Sequence, residues 1–241
     1  MKYYLPLLLL TSCAGTGIQS DFPSQPQVWG SLRGMMHQGI TDAGITLQDA
    51  MSGSHMWGLG AVQDLNGEIT VMDSIVFLAH PISGQEAAVY QSSPSADTRV
   101  ALLVLAEVEA WNSYPIDRDI NSQAHLEAWV AAKAEQIGWC AQRVLPFRVI
   151  GKTSHLQLHV IDGERLEDAG NSHQDHLATA IERVWKNTET ELFGFHSLHH
   201  KTVFTHHDTT IHVHGVTADN SSGHLDEVSF KAGACQLLLP Q

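Results

Sequence analysis

The sequence predicts an α+β domain built from mixed, mostly antiparallel β-sheets with few helices. Two observations predict this class: short apolar segments rich in branched residues outnumber helical patterns, and hairpin-type turn sequences separate several of them. The chain has 241 residues, 43% of them hydrophobic, which is enough for one good-sized core. We therefore predict one folded domain over residues 28–241.

The elements are predicted from their periodicity and from the turns between them. The strands expected from apolar, branched segments are 56–62, 68–72, 76–78, 99–111 (a buried central strand) and 147–161, with short strands dominating from residue 191 onward. The helices expected from apolar spacing are 41–51, 123–137 and a turn or two over 178–185. A hairpin turn at Leu65-Asn66-Gly67 is expected to join the first two strands, with Asn-Gly supplying positive φ values.

The N-terminus has the features of an export signal. Residues 1–12 combine a lysine with a short apolar run, and Leu10-Thr11-Ser12-Cys13 reads as a bacterial lipobox. This pattern predicts a lipoprotein signal peptide at 1–12 and lipidation of Cys13; the alternatives are an ordinary cleaved signal and a plain leader. The small, polar, proline-containing residues 13–27 then form a tether. The predicted location is the periplasm or the outer membrane, with the lipid as the only contact with a membrane.

Charge and cysteine content narrow the partners. The formal net charge is -13 and no basic run occurs, which argues against nucleic acid as a partner. The contexts of Cys140 and Cys235 give no geometric support for a disulfide, so the sequence leaves open whether they pair. The sequence also leaves the oligomeric state open.

Three histidines near the C-terminus are the strongest functional pattern. His212 and His214 form an H-x-H, which on a strand places both imidazoles on one face. His224 follows a turn-rich stretch and returns to that face if the connection is odd in length or Gly223 sits in a bulge. Three converging imidazoles suit Zn²⁺ with one open position, and imidazole also serves Fe, Mn, Ni and Co. The alternative is a hairpin that is simply polar on its solvent face.

Other polar residues could line a site near these histidines. Glu68 enters a strand directly after the hairpin turn, where a glutamate is usually a solvated edge residue. The alternating residues His155, Gln157 and His159 form either a half-exposed strand face or a pocket wall. Further histidines are candidates for supporting contacts or plain surface residues: His196, His199, His200, His206 and His207. No H-E-x-x-H, G-x-S-x-G, P-loop or G-x-G-x-x-G pattern occurs.

Several segments resemble motifs of the acetolactate decarboxylase family, in the same order along the chain. Residues 58–61 and 65–68 resemble its G-L-G-T and L-D-G-E motifs, and residues 147–151 resemble its R-I-D-G strand start. The C-terminal segments that resemble its G-F, H-L-H and G-G-H-V-x-D-F ending are residues 194–195, 212–214 and 223–226. The ending alone is also similar to the plant-and-prokaryote conserved domains, whereas the upstream match favours the decarboxylase branch.

The resemblance implies a zinc-dependent carboxy-lyase that converts 2-acetolactate, or a related β-keto acid, to acetoin or its analogue. It implies that the metal ligands are His212, His214 and His224, and that Glu68 is the glutamate beside the metal. His159 occupies the position, eight residues after Gly151, at which the family carries an arginine. The acidic residue of the family's C-terminal tail has no counterpart, because no carboxylate side chain follows Glu227.

These two departures keep other functions open. A histidine can donate only one hydrogen bond to a carboxylate, whereas an arginine can donate two. His159 is therefore predicted as a catalytic-site residue that changes substrate preference or rate. The alternatives are a metal-dependent hydrolase on the same scaffold and a metal- or ligand-binding lipoprotein without enzymatic activity.

Overall fold

The computed structural model describes residues 25–82, 86–92, 95–166 and 179–241. The predicted signal peptide, Cys13 and most of the predicted tether lie outside these residues. The strands are β1 (Gln27–Trp29), β2 (Met56–Val62), β3 (Glu68–Met72), β4 (Ile75–Ile82), β5 (Glu86–Ser92), β6 (Val100–Glu107), β7 (Trp111–Pro115), β8 (Leu145–Val160), β9 (Ile181–His196), β10 (Ile211–Thr217), β11 (Ser222–Ser229) and β12 (Cys235–Pro240). The helices are α1 (Leu32–Gln38), α2 (Leu47–Ala50), α3 (Gln123–Gln136) and α4 (Gly163–Leu166), with a 3₁₀ turn at Gln63–Leu65.

Two six-stranded sheets form the fold, and each pairing between these strands is antiparallel. The first sheet has the order β1–β6–β2–β3–β4–β5, and the second has the order β11–β10–β9–β8–β12–β7. Strand β11 also pairs with β8, so β8, β9, β10 and β11 close on themselves as a four-strand ring. The predicted fold class, mostly antiparallel sheets with few helices, is confirmed.

The core lies between the two sheets and on their outer faces. Trp57 and Leu59 of β2 pack towards Phe193 and Phe195 of β9, and the rings of Trp57 and Phe193 are 5.8 Å apart. Helix α3 covers the second sheet with its buried apolar residues, and α2 covers the far face of the first sheet. Each buried aromatic ring removes a large apolar area from water, so this contact holds the two sheets together.

Several predicted elements match the structure closely. Strands β2 and β3 occupy the predicted ranges 56–62 and 68–72, and α3 differs from 123–137 by one residue at its end. Ser122 caps the N-terminus of α3, since its side chain accepts a hydrogen bond from the backbone N–H of His125 at 3.2 Å.

Other sequence predictions were wrong. The segment predicted as helical over 178–185 is, in its described part from Ile181, the start of β9, which pairs with β8 residue by residue. Of the helix predicted over 41–51, only α2 forms. Asn66 does not have a positive φ, because Asp64, Leu65 and Gly67 supply the left-handed conformations of the turn.

Two further findings concern cysteine and membrane contact. Cys235 is a buried free thiol, so it forms no disulfide with Cys140. Burial raises the pKa of the Cys235 thiol to about 12, which keeps it protonated. Within the described residues, the helices are too short or too polar to cross a bilayer.

Gly67 holds the chain where β3 begins, directly before Glu68. Its φ is +119°, and a Cβ at this position would lie 2.2 Å from the carbonyl oxygen of Ala79. We expect Gly67→Ala to lower the free energy of unfolding by about 2 kcal/mol or more, because strain and overlap act together. The matched control is Gly233→Ala, where φ is +77° and a Cβ meets nothing within 4 Å. Equal losses in the two variants, measured by urea unfolding, would contradict this prediction.

Candidate metal centre

The three histidines lie on neighbouring strands of the four-strand ring. His212 and His214 are buried residues of β10 whose side chains point to the same face. His224 of β11 lies directly opposite His214, because Val216 pairs with Ser222 and an odd number of residues, 217–221, connects them. The odd-length connection that the sequence analysis required is therefore present.

The spacing of the three rings suits one metal ion. The ring centres are 5.2 Å apart for His212 and His214, 5.0 Å for His212 and His224, and 5.6 Å for His214 and His224. Three imidazoles bound to one tetrahedral ion at about 2.0–2.1 Å place their ring centres about 5.2 Å apart. The observed separations agree with that value within a few tenths of an ångström.

The ring nitrogens of two of these histidines are arranged as metal ligands require. Nδ1 of His212 and Nε2 of His214 are buried and have no hydrogen-bond partner among the described residues. The other nitrogen of His212 is hydrogen-bonded to the backbone of Phe204, and Nδ1 of His214 lies 3.0 Å from Oγ1 of Thr70. This is the pattern of metal-binding histidines, in which one nitrogen faces the ion and the other is held by the protein.

The charge state of both histidines also suits a metal ligand. Burial, reinforced by the neighbouring His224, lowers the pKa of His212 and of His214 well below the usual value. Both rings are therefore neutral at neutral pH, as coordination requires. The residues present fit the zinc that the sequence analysis predicts.

A second grouping of possible ligands shares His224 with the first. Ligand atoms of His159, His224 and Asp226 lie within 4.8 Å of one another. Nδ1 of His159 is, however, 2.7 Å from Oδ1 of Asp226, which is a hydrogen-bond distance. Two ligands of one tetrahedral ion are about 3.3 Å apart. We therefore interpret His159 and Asp226 as a hydrogen-bonded pair beside the three histidines.

Glu68 reaches the centre from the first sheet. Its Oε2 lies 3.6 Å from Nε2 of His214, and its Oε1 accepts a hydrogen bond from the backbone N–H of Ile161 at 3.3 Å. Burial raises the pKa of Glu68 to about 7, since the carboxylate has left bulk water. A divalent cation at the histidines would draw this pKa down again. The structure thus places Glu68 beside the predicted ligands, rather than on a solvated edge.

His159 faces the same centre from β8. Its ring lies 4.6 Å from that of His224, centre to centre, and Asp226 holds its Nδ1. Burial alone would lower the pKa of His159, but the hydrogen bond and charge of Asp226, with Glu68 and Glu182, outweigh burial and raise it. The surrounding carboxylates therefore favour the protonated form of the ring. The strand face that carries it is a pocket wall at Gln157 and His159.

A cavity of about 510 Å³ opens onto this centre. One side of it is apolar, formed by residues that include Leu32, Met35, Leu65 and Leu102. The other side carries histidines and carboxylates: Glu68, Glu127, His159, Glu182, His206, Asp208, His212, His224, Asp226 and Glu227. Among the described residues that line the cavity, none is lysine or arginine. The basic side chains in this part of the cavity wall are therefore histidines.

Of the remaining candidate histidines described here, one lines the cavity and three lie away from it. His206 lines the cavity with its ring 5.9 Å from that of His224. His155 pairs instead with the exposed Glu227 at 3.1 Å. His196 hydrogen-bonds Thr210 at 3.1 Å, and Nδ1 of His200 hydrogen-bonds Ser197 at 2.7 Å. None of these last three histidines lines the cavity.

The sequence analysis missed three residues that support the centre. Asp226 contacts His159, Thr70 contacts His214, and Oγ of Ser222 donates to Oγ1 of Thr70 at 2.8 Å. Asp226 could have been found, because it follows His224 by two residues on the same strand. Thr70 carries no comparable signal, since its partner lies 144 residues away in the chain.

Thr70 should tune metal affinity through His214. We expect Thr70→Val, which removes the hydroxyl but keeps the shape, to weaken zinc binding by about 10- to 100-fold. Competition with a chromogenic chelator would measure this. Thr153→Val is the matched control, because Thr153 is equally buried and hydrogen-bonds Thr190 at 3.1 Å, away from the histidines. An unchanged zinc affinity in Thr70→Val would contradict this role.

The fold and this centre define an antiparallel α+β protein whose buried histidine cluster faces an internal cavity. The model of the alpha-acetolactate decarboxylase family matches residues 30–239, and the chain belongs to that family. No curated protein matches the chain.

Solved structures show the same fold. An alpha-acetolactate decarboxylase from Bacillus subtilis strain 168 is 15% identical, with a TM-score of 0.69 over 90% of this chain and 86% of that chain. A Staphylococcus aureus protein of unknown function, similar to alpha-acetolactate decarboxylase, is 13% identical, with a TM-score of 0.69 over 90% and 84%. The acetolactate decarboxylase of Bacillus subtilis subspecies spizizenii is 14% identical, with a TM-score of 0.67 over 90% and 86%.

Proposed function

We propose that the protein is a zinc-dependent decarboxylase that converts 2-acetolactate, or a related β-keto acid, to acetoin or its analogue. The observation that carries this proposal is the pair of buried, unpartnered ring nitrogens of His212 and His214, with Glu68 beside them. Membership of the family supports a carboxy-lyase reaction. His224 completes the proposed ligand set.

The chemistry needs a place for the electrons that remain when CO₂ leaves. Zinc bound at the three histidines would supply Lewis-acid stabilisation for that negative charge. Glu68 is the group that moves a proton to the carbon that has lost CO₂, because its carboxyl is buried in the cavity wall beside the proposed ligands. The backbone N–H of Ile161 holds the other oxygen of Glu68 and so keeps the carboxyl in place.

His159 takes the place of the family's arginine at the leaving carboxylate. Asp226 occupies its Nδ1, which leaves Nε2 as the donor for a substrate. One charged donor holds a carboxylate more weakly and less directionally than the two of an arginine. We therefore propose that the leaving carboxylate is bound more weakly, and that KM for acetolactate is higher, than an arginine at this position would give.

A turnover assay on the full chain tests the proposal. The bound metal is first quantified, and acetoin formation from racemic 2-acetolactate is then followed with and without a chelator. The expected result is one zinc per chain and acetoin formation that the chelator stops and added zinc restores. Stoichiometric metal without acetoin would overturn the decarboxylase and favour a metal-dependent hydrolase or a ligand-binding protein. Another divalent metal that restores more activity would replace zinc in the proposal.

We also propose that the protein is a lipoprotein of the periplasm or outer membrane, on the basis of the lipobox at residues 10–13. Cys13→Ala should abolish incorporation of labelled palmitate and release the protein from the membrane fraction. Cys235→Ala is the control, because Cys235 is a free thiol, and it should retain the label. Persistent labelling of Cys13→Ala would contradict this location.

A further inference from the structure

Asp226 sits at an irregularity of β11. Leu225 pairs with Leu158 and Glu227 pairs with Gln157, so Asp226 is an extra residue without a partner on β8. A β-bulge of this kind turns a side chain away from strict alternation. Here the side chain enters the cavity between His159 and His224.

The two oxygens of Asp226 have different surroundings. Oδ1 lies 2.7 Å from Nδ1 of His159 and 3.7 Å from Nδ1 of His224. Oδ2 is buried and has no hydrogen-bond partner among the described residues. A buried carboxylate oxygen without a donor is costly, which indicates that a donor arrives with a ligand.

The type of donor follows from the rest of the cavity. Its wall carries other carboxylates, which accept hydrogen bonds, so a second carboxylate from the substrate would be repelled at Oδ2. A neutral hydroxyl group can donate to Oδ2 without adding charge. The substrates of the proposed reaction carry such a hydroxyl on the carbon beside the leaving carboxylate.

We propose that Asp226 is the second carboxylate of the active site and that its Oδ2 accepts a hydrogen bond from the 2-hydroxyl of the substrate. The same residue also holds His159 through Oδ1. Asp226 would thus supply, from β11, the carboxylate that the family has in its C-terminal tail. It also gives a hydrogen-bond partner to His159, which stands where the family has an arginine. This inference rests on the proposed function.

Binding of two stable analogues tests this contact without requiring turnover. The analogues are 2,3-dihydroxy-2-methylbutanoate and 3-hydroxy-2-methylbutanoate, which differ only in the 2-hydroxyl. Calorimetry would measure their affinities for the metal-loaded wild type, for Asp226→Asn and for Asp73→Asn. The last variant is a matched control, because Asp73 also pairs with a histidine, His55, at 2.8 Å, but its side chain is 54% exposed and lies away from the cavity.

The wild type is expected to prefer the 2-hydroxyl analogue by about 10- to 100-fold, the range for a hydrogen bond to a charged group. Asp226→Asn should lose most of this preference, and Asp73→Asn should keep it. If Asp226 had a merely structural role, Asp226→Asn would bind both analogues more weakly by the same factor, and this result would overturn the proposal. Absence of the preference, or of binding, in the wild type would also overturn it. A preserved preference in a protein that forms no acetoin would reject the proposed reaction while supporting the Asp226 contact.

Discussion

Replacing Glu68 with glutamine is expected to lower the rate of acetoin formation by about 100-fold or more, the usual contribution of a general acid or base. Glutamine keeps the shape of the side chain and can still accept the hydrogen bond from Ile161, but it cannot carry a proton between solvent and substrate. Zinc content should stay at the wild-type level, because Glu68 is not among the three proposed ligands. Steady-state kinetics and metal analysis on the same preparation would measure both quantities.

The control for this variant is Glu107→Gln, which makes the same change at an exposed position at the end of β6. It should leave turnover unchanged. If Glu68→Gln kept the turnover of the wild type, Glu68 would have no role in the reaction. Loss of zinc in that variant would instead make Glu68 a fourth ligand, a result that its 3.6 Å distance from Nε2 of His214 would then explain.

Replacing His212 with alanine is expected to weaken zinc binding by more than about 100-fold, beyond the effect of a supporting residue. It should also abolish the stabilisation that zinc gives the folded protein. A ligand present at 100 times its dissociation constant stabilises the folded state by about 2.7 kcal/mol. The wild type should therefore show a zinc-dependent rise in its thermal unfolding midpoint, and His212→Ala should show none.

His55→Ala is the matched control, since His55 is exposed and pairs with Asp73 at 2.8 Å, away from the cavity. Its zinc-dependent stabilisation should equal that of the wild type. If His212→Ala kept stoichiometric zinc, the three-histidine assignment would be wrong. The grouping of His159, His224 and Asp226 would then become the metal site.

Local patterns predicted the fold where local interactions decide the structure. Strands β2 and β3 are short, mainly apolar segments on either side of a turn sequence, and α3 has a capping serine and buried apolar residues at helical spacing. The start of β9 was mispredicted because its few apolar residues fit a helical turn as well as a strand. Its pairing with β8, from Ile181 opposite Val160 onward, overrides that weak local preference.

The metal centre, like the fold, could be predicted only where local spacing along the chain decides the geometry. The period of a strand was enough to place His212 and His214 on one face, and the odd connection brought His224 opposite. The same period puts Asp226 on the face of His224, but that spacing does not reveal its contact with His159 of β8. Thr70 depends on the packing of one sheet on the other, which no short motif encodes.

The closure of β8, β9, β10 and β11 into a ring also has a consequence for how the protein acquires its metal. The three proposed ligands lie on the hairpin of β10 and β11, between residues 212 and 224, so a local segment of the chain can bring them together. The groups around them come from distant segments, because Glu68 and Thr70 belong to the first sheet and His159 lies opposite His224 only when β8 pairs with β11. Contacts between residues far apart in sequence form slowly during folding. The ion can therefore meet its ligands before the cavity around them is complete.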